Sequence, residues 1–79
     1  MGIIFLEKPM AEPLYWDDIY PIALLLNRSF PNVDPLSVEF DQLQDWVAHL
    51  DGFADDKTVM PFEWLEQIQV EWIEIKMNR

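Results

Sequence analysis

Asp41-Gln42-Leu43-Gln44-Asp45-Trp46-Val47-Ala48-His49-Leu50-Asp51-Gly52 is the stretch that decides the fold. Leu43, Trp46, Val47 and Leu50 recur at i, i+3, i+4 and i+7, the spacing that puts four apolar side chains on one helical stripe. Asp41 reads as the N-cap, Gln44 as the reciprocal capping-box residue, and Gly52 as the residue just past the end. Before it, Asp34-Pro35 reads as a cap followed by proline at the first position of a single helical turn reaching about Val38, with Glu39-Phe40 as a short extended link. Before that turn, Asp18 caps a predicted helix to about Ser29, in which Pro21 is the third residue and costs no intrahelical bond. Its stripe is Ile19, Ile22, Ala23, Leu26 and Phe30. After residues 53–60, read as a loop, a last helix is predicted from Pro61 to about Lys76. Phe62, Leu65, Ile68, Gln69, Trp72 and Ile73 lie on its inner side, with Trp64 and Ile75 widening the apolar arc. An arc that wide needs more than one neighbour, which predicts an all-α or mostly α fold, a compact domain of three to four helices.

Composition limits what such a domain does. Seventy-nine residues, 51% hydrophobic, suffice for one core. Fifteen acids against five bases give a formal charge of -10, which repels phosphodiesters and anionic lipid heads, so neither nucleic acid nor an acidic membrane is expected as a partner. No cysteine is present, so disulfides, thiol catalysis and thiolate-held metal clusters are excluded. The longest apolar run, Ile22-Ala23-Leu24-Leu25-Leu26, is far short of the ~20 residues that span a bilayer. No basic residue precedes Gly2-Ile3-Ile4-Phe5-Leu6, so it does not read as a secretory signal, and a cytoplasmic protein is expected.

The charge is uneven. Residues 34–79 hold eleven acids and three bases, whereas residues 1–33 hold four and two. Asp41, Asp45 and His49 follow at i, i+4 and i+8 and form a ridge opposite the apolar stripe. Carboxylates and an imidazole one turn apart suit a divalent cation; the plainer reading, a solvated polar face, is favoured. Asp51, Asp55 and Asp56 are a second oxygen cluster, without the loop spacing of an EF-hand, which leaves weak metal binding or a merely soluble loop. Like charges at helical neighbour spacing along the last helix, Glu63 with Glu66 and Glu71 with Glu74, cost ~0.2–0.5 kcal/mol each unless a basic partner or a cation relieves them. Ser29 and Ser37 are remote from His49 in sequence, and no phosphate loop or oxyanion signature accompanies Asp45 and His49, so no enzyme is expected. Trp16, Trp46, Trp64 and Trp72 read as core and domain-edge packing rather than a ligand cage.

The order of these signals is specific. Leu14-Tyr15-Trp16-x-Asp18, Phe30-Pro31-x-x-Asp34-Pro35-x-x-Val38-x-Phe40, Trp46-x-x-x-Leu50-Asp51-x-Phe53-x-Asp55-Asp56 and Leu65-Glu66-x-Ile68-x-x-x-Trp72 together resemble the IscX family of bacterial iron–sulfur cluster assembly. The resemblance spans about residues 14–74, so that residues 1–13 read as an N-terminal extension and 14–79 as a single domain. It implies a modified winged-helix-like fold and a monomer. It also implies an adaptor or regulator that binds cysteine desulfurase, and that binds ferrous iron weakly and labilely with no held cluster. Iron donation to the cluster scaffold, or inhibition of some other basic protein, are the alternatives. The acids that match the family pattern, and so are the implied partner-binding residues, are Asp18, Asp34, Asp51, Asp55, Asp56 and Glu66, to which the charge pattern adds Asp41 and Asp45; the expected iron ligands are Asp51, Asp55 and Asp56, with Asp45 and His49 of the ridge as further candidates. Asp18 and Asp34 serve equally well as helix caps. Gly52, Ala54 and Lys57 stand where family members often carry further acids, which lowers the iron affinity expected here.

Overall fold

The computed structural model describes residues 13–78, so the extension expected over residues 1–13 lies, save for Pro13, outside the described residues. Three helices, α1 (Ile19–Ser29), α2 (Phe40–Ala48) and α3 (Phe62–Met77), and one 3-10 turn (Pro35–Ser37) occur among them. The all-α reading holds, and the only β feature described is an isolated parallel bridge between Leu14 and Phe53. No described helix is long and apolar enough to cross a membrane.

Each helix buries the stripe its spacing dictates. Ile22, Ala23 and Leu26 of α1, Leu43, Val47 and Ala48 of α2, and Leu65, Ile68 and Trp72 of α3 meet in one core. Helix α3 is the central element, with α1 packed along most of it and α2 and the 3-10 turn on other sides; this is why its apolar arc is so wide. Phe30 and Trp46 stack at 4.0 Å between centroids and 13° between planes, pinning the end of α1 to α2. Gln69, at the edge of the α3 stripe, donates from Nε2 to the Pro35 carbonyl at 2.8 Å and so ties the 3-10 turn to α3.

The caps follow the sequence in part. Asp34 is an N-cap, its Oδ1 accepting from the Leu36 N–H at 3.1 Å. Asp18 occupies the N-cap position of α1, but its carboxylate turns back to accept from the Tyr15 N–H at 2.8 Å. Pro21 explains this: it is the third helical residue and lacks the N–H that an N-cap side chain commonly takes. The expected cap and capping box of α2 are corrected. The Leu43 N–H bonds to the Glu39 carbonyl at 2.8 Å, so the helix opens at Phe40, with Glu39 as N-cap and Asp41 inside the first turn. Phe40 is therefore helical rather than extended, its ring 6.0 Å from that of Phe62. Gln44 does not cap; its Nε2 donates to the carbonyls of Lys57 and Val59 at 2.7 and 2.9 Å and anchors the acidic loop to α2. Phe62, expected inside, is 59% exposed.

Candidate functional site

The acidic loop after α2 is held by the segment that precedes α1. Gly52 takes φ 85°, a left-handed conformation in which a side chain would crowd the backbone. The turn it allows aims the Gly52 carbonyl at the Leu14 N–H, 2.9 Å away, and the Leu14 carbonyl accepts from the Ala54 N–H at 2.8 Å. Phe53 and Trp16 are thereby carried into the core, edge to face at 4.8 Å. The Trp16 indole N–H donates to the Asp56 carbonyl at 2.9 Å, and the Trp16 backbone N–H donates to Asp55 Oδ2 at 3.0 Å. The other Asp55 oxygen accepts from the Asp56 N–H at 2.7 Å. Two pieces of the sequence pattern nearly forty residues apart, Leu14-Tyr15-Trp16 and Phe53-x-Asp55-Asp56, thus form one clasp.

Asp56 closes the loop on its far side. Its Oδ1 accepts from the Thr58 N–H at 2.9 Å and from the Thr58 hydroxyl. These two bonds, the hydroxyl first, hold its carboxyl below the ordinary aspartate range, because they stabilise the charged form. Lys57 spends its charge locally, with Nζ 3.3 Å from the Phe53 carbonyl and 5.5 Å from the centre of the Phe53 ring.

The ridge on α2 is built differently. Asp41, Asp45 and His49 are exposed. His49 is the C-cap; its Nδ1 lies 2.8 Å from the Asp45 carbonyl and 3.4 Å from the Asp45 carboxylate, with both side chains mostly in solvent. Asp51 is exposed in the turn after α2, and Glu66 is exposed on α3. Among the described residues no three His, Cys, Asp or Glu side chains gather where they could hold a metal ion. Asp51, Asp55 and Asp56 are therefore sequence neighbours that do not converge, and Asp55 and Asp56 already satisfy backbone donors.

Beside the clasp lies an open cleft that the sequence reading missed. Tyr15, Val59, Pro61 and Trp64 line it together with two acids, Asp17 and Asp55. Trp64 was expected to pack at the core or domain edge, and it is 42% exposed, unlike the buried Trp16 and Trp72. The signal in the sequence was the run Val59-Met60-Pro61-Phe62, apolar yet placed where a helix has not begun and no stripe accounts for it.

These features define a small all-α domain whose exterior is dominated by carboxylates, some tied into a loop and others free. A sequence model of the family described as Iron-sulphur cluster assembly matches residues 14–76, and the chain belongs to that family. The IscX resemblance read from the residue pattern therefore holds. A Pseudomonas aeruginosa relative, named only as uncharacterized protein PA3808, is 44% identical over 61 residues, covering 77% of this chain and 92% of the relative.

Proposed function

We propose that within iron–sulfur cluster assembly this chain is an adaptor that docks its acidic surface on a basic face of cysteine desulfurase. One observation carries the reading: among the described residues no Lys or Arg pairs with a carboxylate. Among the described residues the one ion pair is the exposed contact of Asp45 with His49. Lys57 and Lys76 direct their ammonium groups to backbone carbonyls, of Phe53 and Pro31 respectively. Mutual repulsion of this kind costs stability in a domain whose core contributes only ~3–5 kcal/mol net, and a cationic partner offsets it. Asp41, Asp45, Asp51 and Glu66 supply the exposed charges; Asp18, Asp34, Asp55 and Asp56 add charge to the field while serving the fold. Iron is a labile cargo at these oxygens, and its donation to the cluster scaffold is the alternative task; the exposed acids of the ridge and of α3 support docking as the main one.

Attraction between exposed charges is screened over about 10 Å at 0.1 M salt, so the complex should weaken steeply as salt is added. Calorimetric titration into desulfurase at 50 and 300 mM salt checks this. A complex indifferent to salt, or no complex at low salt, contradicts the adaptor reading.

A further inference from the structure

We infer that the cleft between the Trp16 segment and the start of α3 receives an arginine side chain of a basic protein partner. The inference takes its partner from the adaptor reading and adds a specific socket to what is otherwise a diffuse acidic surface. The cleft has two kinds of wall. Tyr15 and Trp64 are 44% and 42% exposed, and Val59, which also lines the cleft, is 38% exposed. Leu36, Val70 and Met77 are exposed singly elsewhere, whereas residues 59–64 bring exposed apolar side chains together in one stretch, and an apolar patch rimmed by polar groups marks a contact site. The second kind of wall is anionic, since Asp17 and Asp55 line the cleft and among the described residues no Lys, Arg or His does.

The Asp55 carboxylate is also fixed in place. The Trp16 and Asp56 N–H groups hold one oxygen each, at 3.0 and 2.7 Å, and each oxygen keeps a further lone pair for an incoming donor. A ligand must therefore satisfy aromatic faces and a fixed carboxylate together. An apolar side chain would desolvate Asp55 without pairing it. A phosphate or carboxylate would be repelled. A metal ion would find two acids and gain nothing from the aromatic walls. An ammonium pairs with the acids but holds its hydration tightly, whereas a guanidinium is planar, weakly hydrated, stacks on an aromatic face and directs its N–H donors in plane to a carboxylate. Lys57, the nearest cation in sequence, is engaged with the Phe53 carbonyl and ring and leaves the cleft clear. Val59 and Pro61, which line the cleft, then cover whatever apolar neighbours flank the partner's arginine.

The test is a titration of the full chain with blocked Leu-Arg-Leu, Leu-Lys-Leu and Leu-citrulline-Leu peptides at fixed ionic strength, followed through amide and indole resonances. The expected result is saturable shifts at the Trp64 indole and the Asp55 and Tyr15 amides, the arginine peptide binding at least about threefold tighter than the lysine peptide, and no saturation with citrulline. Trp64→Ala should weaken both the arginine peptide and the desulfurase complex about two- to fivefold. Asp17→Asn, a change at an exposed residue, repeats the test without risk to the fold. Equal binding of the citrulline peptide, or shifts spread over Asp41, Asp45 and Asp51 with none at the cleft, overturns the inference. So does a desulfurase complex unchanged in both variants, and in that case the adaptor reading stands. If desulfurase does not bind but the arginine peptide saturates the cleft, the adaptor reading falls and the socket remains.

Discussion

The acidic loop and the ridge of α2 carry the same kind of charge and use it in opposite ways. In the loop, Asp55 accepts from two backbone N–H groups and Asp56 from the Thr58 N–H and hydroxyl, so these carboxylates replace hydrogen bonds that an irregular segment cannot make with itself. On the ridge, Asp41 and Asp45 stand in solvent, and the one contact between side chains there is with an imidazole. The loop acids are thus part of the architecture even where they match the family pattern. The ridge acids have no such internal task, which leaves them available for a partner.

The largest way to break this contrast is to remove the other half of the clasp. Trp16 is 4% exposed, packs on Phe53 and donates twice to the loop. Trp16→Ala should cost ~3–5 kcal/mol, comparable to the whole stability of so small a domain, and urea denaturation should show a chain largely unfolded in buffer. A smaller and sharper test compares two swaps that each remove one carboxylate charge. Asp55→Asn turns one acceptor oxygen into an NH2 group facing a backbone N–H, and should lose ~1–3 kcal/mol. Asp45→Asn removes the same charge from the ridge and should change stability by at most ~0.5 kcal/mol. If the two denaturation midpoints move together, the division between built-in and free carboxylates is wrong.

How much of this could be read beforehand follows from which interactions are local. The helical stripes are local patterns, so Ile22, Leu26, Leu43, Val47, Leu65, Ile68 and Trp72 were legible as core. Asp34 was legible as a cap because its partner, Leu36, is two residues away. The clasp was not legible, because it pairs Trp16 with residues 39 and 40 positions on, and spacing carries no information about such closures. The same distance effect misled the reading of Gln44, whose amide reaches the carbonyls of residues 57 and 59 instead of its own helix end. The three aspartates 51, 55 and 56 suggested a metal cluster because they are close in sequence. In an extended loop, however, near neighbours diverge as readily as they gather, and two of these carboxylates were already claimed by backbone donors. The cleft was hidden for a related reason, since Tyr15 and Trp64 come to line one cleft only through the tertiary fold and each alone resembles ordinary core material.

The smallest expected effect isolates one bond of the loop. Thr58→Val keeps the shape of the side chain and the backbone N–H but deletes the hydroxyl that donates to Asp56 Oδ1. The hydroxyl bond is the leading cause of the lowered Asp56 pKa, so the variant's carboxyl should titrate closer to the ordinary aspartate range, with the remaining N–H bond still holding it slightly low. The linked effect on stability has a definite sign. A carboxyl whose folded pKa is depressed contributes stability that is fully present above its unfolded pKa and is lost as pH falls through the folded value. The wild-type chain should therefore lose more stability than Thr58→Val across that acidic window, and the difference should be constant above it. Carboxyl carbon shifts of Asp56 followed by NMR against pH check the first statement, and melting temperatures across the same range check the second. The ridge supplies the internal control: the amide resonances of Asp41 and Asp45 should be the same in both proteins, because the substitution alters one bond in the loop and leaves the ridge untouched.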